Sequence, residues 1–579
     1  MNSTPSFQIE ELAFNDRLPS SLRGSGFVSD LWPVVYVLSD ETAREAYVGE
    51  TADAVSRMSA HLKTGNKKKL SRVHLITSEL FNKSATLDIE ANLIRYMWAD
   101  GKYDLINGNY GLAHHTYYQK HEIYWDVFRQ IWDQLRKRGL AKQTISRIDN
   151  SDLFKYSPYK SLSAEQRDGI ISILEALLEN GSRTVMVRGG AGTGKSIMAV
   201  YLFKLLSSTF EDIDFRDFGD EESRLVELAR NLKKKFPAPR MALVVPMSSF
   251  RESLKKVFKN IKGLSGRMVI GPAEVVREKF DLLVVDESHR LRQRVNLGTY
   301  FKAFDNACER IGVDPSKGNE LDWILKQSKT SVLFYDEGQS VKPSDVDRSA
   351  FQRLSSKPST VRVELESQFR VKGGTDYVRF CHDLMNGRLK DDGKRFSSLN
   401  YELLSFESLA DMVSMVKAKE REFGLSRMVA GYSWKWVSRE EGVSHDIEVE
   451  DVRLKWNSRT VDWINTPGSE DEVGCIHTTQ GYDLNYTAII FGHEISYDEE
   501  RGRIVILPEN YHDRNGKQGI ADPEKLQEYI VNIYVTLMLR GIRGTFVYAC
   551  DPALRRYFNR HVPTYSSYGE NDLLTQAAE

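Results

Sequence analysis

Residues 189–196 read Gly-Gly-Ala-Gly-Thr-Gly-Lys-Ser, the G-x-x-x-x-G-K-S spacing of a loop that closes on phosphate. Gly189, Gly192 and Gly194, with Thr193 between the last two, let successive backbone N–H groups curl around an anion. A helix expected from Lys195 onward adds the partial positive charge of its N-terminus. Lys195 is expected to neutralise the outer phosphates of a nucleoside triphosphate, and the Ser196 hydroxyl to ligate Mg²⁺. Further on, the apolar run 281–285 (DLLVV) delivers Asp286 and Glu287 to a strand tip. There Asp286 would hold the Mg²⁺, and Glu287 would orient and deprotonate the attacking water.

A second set of chemical residues stands near the amino end. Tyr36 and Tyr47 fall in two short apolar runs, 33–38 (PVVYVL) and 46–49 (AYVG). Arg57 and His61 stand four apart and so share one helix face. Glu90 lies on a following helix, and Asn107 in a turn before Gly108. Two phenols, an arginine, a histidine, a carboxylate and an amide within reach of one another could hydrolyse a phosphodiester. The tyrosines could equally pack as strand residues, and an Asn-Gly pair is a common turn. Six basic residues and no acidic ones occupy 57–72: Arg57, Lys63, Lys67, Lys68, Lys69 and Arg72. They would neutralise phosphates flanking a cut, or form a solvated loop.

The elements that must position these residues follow from hydrophobic period. Helices are expected over 53–63 and 86–98, and a long one with an aromatic face over 121–138. The polar stretch 139–162, with Pro158, marks a boundary. Beyond it, seven apolar runs at 184–188, 241–245, 281–285, 331–335, 427–430, 487–491 and 545–549 are short and β-branched, as buried parallel strands are. Helical crossovers between them suggest two α/β domains. The expected division is an extension over 1–30, a small domain over 31–120, a helical connector and linker over 121–160, α/β domains over 161–345 and 346–565, and a tail over 566–579.

The stretch 162–558 resembles superfamily 1 helicases, and within them the Schlafen-like group of bacterial P-loop proteins. Leu162-Ser-Ala-Glu-Gln166 is similar to the Q motif, which implies that Gln166 reads adenine. Tyr335-Asp-Glu-Gly-Gln339 resembles motif III, with Gln339 as a γ-phosphate sensor, and Gln368-Phe369-Arg370 resembles motif IV. His477-Thr-Thr-Gln480-Gly481 resembles motif V, and Thr536-Leu-Met-Leu-Arg540-Gly541 motif VI. The resemblance implies ATP in a cleft between two cores, closed on by Arg370 and an arginine finger at Arg540, with Arg543 as a rival. It also makes 242–250 a strand-contacting motif, with Ser248, Ser249, Arg251 and Thr478 as candidates. Trp434 and Trp436 could stack bases or belong to a core or lid.

Residues 31–118 resemble the GIY-YIG nuclease fold. Val34-Val35-Tyr36 and Tyr47-Val48-Gly49 are degenerate forms of its naming motifs, and Arg57-x-x-x-His61, Glu90 and Asn107 follow in the family's order. The resemblance implies that Glu90 binds one divalent metal, Mg²⁺ or Mn²⁺, that Arg57 stabilises charge on phosphorus, and that Tyr36 or Tyr47 activates water with His61. A phenol of ordinary pKa, about 10, is a poor base at neutral pH, so the metal and Arg57 would have to lower it.

Composition bounds these readings. The 579 residues carry a formal net charge of -1, so any nucleic-acid surface must be local. The four cysteines, Cys308, Cys381, Cys475 and Cys550, form no C-x-x-C pair, which argues against a zinc ribbon or a disulfide framework. The amino-terminal stretch has acidic residues and no apolar core, unlike a signal peptide. The apolar run 31–38 is too short to span a bilayer. The expectation is an α/β protein: a small α+β GIY-YIG domain followed by two RecA-like parallel-sheet P-loop domains. It would be cytoplasmic, with no membrane partner, using ATP and Mg²⁺ (or Mn²⁺) and acting on nucleic acid, DNA ahead of RNA. The activity would be that of an ATP-dependent nuclease–helicase. Two alternatives are an ATP-gated binding machine and a front module that only recognises substrate. The fused layout suggests, by analogy of architecture alone, a bacterial or phage origin and a role in defence against foreign DNA.

Overall fold

The computed structural model describes residues 7–23, 31–63, 65–107, 117–156, 162–179, 183–207, 220–261, 263–438, 444–479, 481–518, 520 and 522–565. Gly108, Pro158, Gln480 and the expected tail 566–579 lie outside the described residues. The chain divides into two compact units: Met1–Leu174 with Ile197–Pro237 and Lys256–Leu264, and Glu175–Ser196 with Ala238–Lys255 and Ser265–Glu579.

The first unit is built on a mixed sheet of five strands in the order Gln8–Ala13, Arg72–Thr77, Val34–Asp40, Glu45–Thr51, Asp104–Leu105. The first three pairings are antiparallel and the last is parallel. The two apolar runs of the sequence form the central hairpin, in which Val34, Tyr36 and Leu38 alternate onto one buried face with Tyr47, Val73 and Leu75. Helix Ala54–Lys63 starts one residue later than expected, and Lys83–Asp100 runs past its expected range 86–98 at both ends. The second starts where the Asn82 side chain accepts the Ala85 N–H, and stops at Gly101, whose φ of 66° is left-handed.

Three expectations are corrected here. Within the expected extension 1–30, the described residues 7–23 belong to the sheet domain: Gln8–Ala13 pairs with the strand Arg72–Thr77, and Phe14, Leu18 and Leu22 lie in the same core. The solvated-loop alternative for the basic run 57–72 does not hold as one loop, since Lys67–Lys69 make a short 3-10 turn and Arg72 opens an interior strand. The helix Trp125–Lys137 is no connector either, because Phe128 and Trp132 pack on Tyr96 at centroid distances of 5.1 and 5.7 Å. Asp100 fastens the segment that follows by accepting the backbone N–H groups of Lys142 at 3.0 Å and Gln143 at 2.6 Å.

The second unit holds two large sheets and a two-stranded antiparallel one, Ile495–Asp498 with Arg503–Ile506. One is all parallel, in the order Thr360–Leu365, Arg183–Gly189, Ser328–Tyr335, Phe280–Val285, Met241–Val244, Val269–Ile270. Thr360–Leu365 belongs to this sheet, so the first α/β lobe runs past the expected boundary at 345. The other sheet has the order Glu402–Ser405, Gly541–Ala549, Leu484–Phe491, Ser426–Ala430, Glu472–Gly474, Val452–Trp456, Ile447–Val449, parallel except for its last pairing. Its strands are buried on both faces: Val429, Ile489 and Val547 point into one core, and Met428, Ala488 and Phe546 into another. Among the described residues no helix is long and apolar enough to cross a membrane.

Phe14→Ala tests whether the amino-terminal segment is integral to the first unit. It should cost about 3 kcal/mol, as buried phenylalanine truncations do, in denaturant unfolding of the full chain followed by tryptophan fluorescence. A change within about 0.5 kcal/mol would mean a dispensable extension.

Candidate functional sites

Adjacent parallel strands bring the nucleotide residues together. Arg183–Gly189 and Phe280–Val285 both pair with Ser328–Tyr335, so the phosphate loop, Asp336 and Asp286 emerge side by side at the carboxyl ends, where open α/β sheets bind ligands. Gly192 has a φ of 84°, and a Cβ there would stand 2.1 Å from Gln368 Oε1 and 2.7 Å from Arg370 Cβ. Only glycine fits that conformation and that approach. Gly194 is left-handed as well, and the Thr193 hydroxyl donates to the Gly190 carbonyl at 3.1 Å. Gln368 Nε2 donates to the Ala191 carbonyl at 2.8 Å and the Phe369 N–H to the Gly192 carbonyl at 3.0 Å, which ties the loop to the segment leaving Thr360–Leu365.

Lys195 is buried. Its ammonium donates to the carbonyls of Gly189 at 2.6 Å and Gly190 at 2.7 Å, and lies 3.4 Å from Asp336 Oδ2. That same oxygen accepts from Gln339 Nε2 at 2.6 Å, and Gln339 Oε1 accepts from Arg540 Nη2 at 3.2 Å. A chain of polar contacts therefore runs from the phosphate loop to the buried arginine of the second lobe. Arg543, the rival, instead lies over the Phe423 ring, 4.7 Å from its centroid. Arg370 pairs through Nε with Asp483 Oδ1 at 2.5 Å.

The two acidic residues differ in environment. Asp286 is fully buried; Oδ1 accepts the Glu287 N–H at 3.0 Å, and Oδ2 has no hydrogen-bond partner. Burial and the neighbouring Glu287 raise its pKa, against the lowering effect of the Ser196 hydroxyl and Lys195. A buried orphan oxygen beside a serine hydroxyl suits a hard cation such as Mg²⁺. Burial alone would raise the Glu287 pKa as well, but His289, Lys195 and Arg540 outweigh it and hold the carboxyl ionised. His289 Nε2 stands 2.9 Å from Glu287 Oε2, close but off hydrogen-bond alignment.

Other motif residues serve the frame. The Ser249 hydroxyl bonds the Tyr482 hydroxyl at 2.8 Å and accepts the Asp462 N–H at 3.0 Å. Thr478 accepts the Cys475 N–H at 3.0 Å, and Arg251 donates to the Val245 carbonyl at 2.7 Å. Ser248 opens the helix Ser248–Lys259. Gly481 has a φ of 87°, and a Cβ there would press on Phe250 at 2.9 Å. Trp434 and Trp436 are half-buried and pack beside Trp456 at 6.5 and 6.2 Å, so the core reading fits them better than base stacking. In the first unit, Gln166 exchanges hydrogen bonds with Ser163 at the start of helix Ala164–Leu178.

The amino-terminal set converges in the first unit. Tyr36 and His61 share a hydrogen bond of 2.7 Å, and Arg57 Nε donates to the Tyr36 hydroxyl at 3.2 Å. The Tyr47 ring centroid is 6.2 Å from that of Tyr36 and 5.2 Å from that of His61, and Lys67 Nζ sits 3.8 Å from it. Gly49 pairs with Tyr36 across the hairpin, and a Cβ there would overlap the phenol at 2.3 Å. The last glycine of Tyr47-Val48-Gly49 thus makes room for the Tyr36 ring. Glu90 is half-buried on helix Lys83–Asp100 and near enough to raise the Tyr36 pKa.

Two expectations about this set need correction. Asn107 does not join it: its amide oxygen accepts the Val48 N–H at 3.0 Å, and its nitrogen donates to the Val48 carbonyl at 2.7 Å. Both polar ends are committed to holding the hairpin edge. Nor is Tyr36 an activated phenol as it stands. Burial and then Tyr47 drive its pKa well up, against the lowering pull of Arg57. Burial, helped by Lys67 and Arg57, pushes His61 down to about 3, so its ring is neutral at physiological pH. The carboxylate and phenol oxygens present suit Mg²⁺ or Mn²⁺, with Glu90 as the anionic ligand; no group of three or more His, Cys, Asp or Glu forms a metal cluster among the described residues.

The Schlafen group 3 DNA/RNA helicase domain matches residues 182–551, more than half of the chain. The chain belongs to the Schlafen group 3 helicase family. A Saccharomyces cerevisiae relative, the uncharacterized protein YPL245W, is 27% identical over 68% of this chain and 90% of its own length. Similar solved structures include Pif1 helicase from Bacteroides in complex with ADP-AlF3 and ssDNA, at 12% identity over 72% of this chain and 98% of that one, with a TM-score of 0.28. Mss116p bound to ssRNA and AMP-PNP is 14% identical over 75% and 79%, with a TM-score of 0.29. Scores this low carry no argument about this chain. The family match takes in the phosphate loop, Asp286, Gln339 and Arg540, and stops short of the Tyr36–His61 cluster.

Within this helicase domain the sequence reading quoted Asp336 and Gln368 inside motifs III and IV without giving either a role. Asp336 was legible as a carboxylate at the tip of the apolar run 331–335, the same signal that marked Asp286. The part Gln368 plays depends on a glycine 176 positions before it, which its own motif does not reveal.

The neutral buried His61 has a stability consequence. Its folded pKa of about 3 lies below the usual 6.5, so as pH falls below about 6.5 the unfolded chain takes up a proton that the folded chain refuses. Stability is therefore full above that pH and lost towards pH 3. Between pH 7 and pH 5 the loss should be about 2 kcal/mol greater for wild type than for His61→Gln, by chemical unfolding at each pH. Equal losses would mean an imidazole that reaches solvent.

Proposed function

We propose that this chain is an ATP-driven nucleic-acid motor whose amino-terminal unit cleaves phosphodiesters. The observation that carries the motor half is the contact chain Lys195–Asp336–Gln339–Arg540, which joins the phosphate loop of one lobe to a buried arginine of the other. ATP would draw Lys195 off the loop carbonyls, and Arg540, released from Gln339, would neutralise charge developing on the γ-phosphate. Glu287, held ionised, would take the proton of the attacking water. Ser196 and Asp286 would hold Mg²⁺, which supplies positive charge beside the phosphates. Arg370 would join once ATP competes with Asp483 for it.

In the first unit Arg57 would bind the phosphate oxygens, and neutral His61 would accept a proton through the Tyr36 hydroxyl. Glu90 would hold a divalent cation, Mg²⁺ or Mn²⁺, which supplies electrophilic help at phosphorus. The Tyr36–His61–Arg57 cluster favours this reading. A second reading, in which the unit only recognises nucleic acid, is favoured by the high Tyr36 pKa and by the commitment of Asn107 to Val48. DNA is the expected substrate ahead of RNA.

Arg540→Ala should lower ATPase kcat by about 10³-fold while leaving nucleotide binding measurable, and Arg543→Ala should stay within about twofold, in steady-state assays with a saturating strand. The reverse ranking would transfer the finger to Arg543. Glu90→Ala should abolish Mg²⁺-dependent cutting of labelled DNA while binding persists. Undiminished cutting would remove Glu90 as the metal ligand, and no cutting by wild type on DNA or RNA would leave the unit a recognition module.

A further inference from the structure

Tyr482 is buried in the second lobe and reaches into the first. Its ring packs with Trp463, Ile464 and Leu484 of its own lobe. Its hydroxyl bonds the Ser249 hydroxyl at 2.8 Å and the Ser253 hydroxyl at 3.4 Å. Those serines stand four apart on helix Ser248–Lys259 of the first lobe, so they share one face, and both are buried. A phenol this deep needs a partner for its hydroxyl, and Tyr482 takes that partner from the other lobe.

The backbone around Tyr482 is turned to Arg540. The Tyr482 carbonyl accepts Arg540 Nη1 at 3.3 Å, and the Leu484 N–H donates to the Arg540 carbonyl at 3.1 Å. One short stretch, 482–484, therefore holds this arginine by its guanidinium and by its backbone. Gly481 fits the stretch closely against the helix of the two serines. Its φ is 87°, and a Cβ there would stand 2.9 Å from the ring of Phe250, the residue next to Ser249.

The two partners of the Arg540 guanidinium differ in what ATP would do to them. Gln339 belongs to the first lobe and accepts Nη2, so it has to let go before Arg540 can meet a γ-phosphate. The Tyr482 carbonyl belongs to the arginine's own lobe and can stay with it. Where the guanidinium then points depends on where the stretch 482–484 sits. The Tyr482 hydroxyl fixes that place against the lobe that carries the phosphate loop.

We propose that Tyr482 is a positioning residue for Arg540, with its hydroxyl seated on Ser249 and Ser253 and its carbonyl on the guanidinium. The assignment rests on the reading of Arg540 as the arginine finger and adds to it what aims the finger.

The test is a double-mutant cycle on the full chain, in steady-state ATPase assays with a saturating strand. Tyr482→Phe, which keeps the ring and the carbonyl, should lower kcat about tenfold and leave the KM for ATP within about twofold. On an Arg540→Ala background the same substitution should change kcat by less than about twofold, since no finger is left to aim. Ser249→Ala combined with Ser253→Ala, which removes the other end of the bond, should match Tyr482→Phe in both backgrounds. An unaltered kcat in Tyr482→Phe, or an equal fold loss with and without Arg540, would overturn the assignment and leave the finger reading standing. So would a loss in Tyr482→Phe that the serine pair does not share. An unaltered kcat in Arg540→Ala, or no ATPase in wild type, would overturn the finger reading and this assignment with it.

Discussion

The ammonium at the base of the phosphate loop has to be satisfied whether or not a phosphate is present. In this chain Lys195 turns back on the carbonyls of Gly189 and Gly190 and leans on Asp336. Asp336 in turn holds Gln339, and Gln339 holds Arg540. The arrangement follows from strand order, because two neighbouring parallel strands end side by side and deliver the lysine and its aspartate together. A triphosphate offers Lys195 and Arg540 the same thing, negative oxygen, from one molecule. Occupation of the loop would then disturb contacts at both ends of the contact chain at once, and so would couple the lobes.

The amino-terminal unit handles charge in the opposite way. Tyr36, Tyr47 and His61 are all buried, and the first and last are held neutral by that burial. Arg57 reaches the Tyr36 phenol oxygen and Lys67 lies over the Tyr47 ring. Gly49 is the steric condition for this arrangement, because any side chain there would push the Tyr36 ring off His61.

Much of both sites was legible because each motif is local and ends an apolar run. Glycine spacing, a helix start and carboxylates at strand tips are patterns of consecutive residues. What escaped depended on pairing between distant segments. Thr360–Leu365 alternates its apolar residues with Arg362 and Glu364, as a strand at a sheet edge does, and so lacks the continuous apolar run used to find the interior strands. Gln8–Ala13 carries two glutamates and reads as polar until it lies against Arg72–Thr77. Asn107 shows the limit from the other side. Its place in the order of residues was right for a catalytic amide, but order does not reveal that Val48 offers a backbone N–H and carbonyl to the same side chain.

Arg540 and Arg543 show how finely backbone position decides function. They stand three residues apart at the junction of helix Pro523–Met538 and strand Gly541–Ala549. A residue inside a strand of a doubly covered sheet must point to one face or the other of its own lobe, and Arg543 does so, lying over Phe423. A residue just before the strand is free of that rule, and Arg540 uses the freedom to reach Gln339 of the other lobe. Two similar side chains thus receive different work from a single step of secondary structure. A one-residue shift of the helix end would take Arg540 off Gln339.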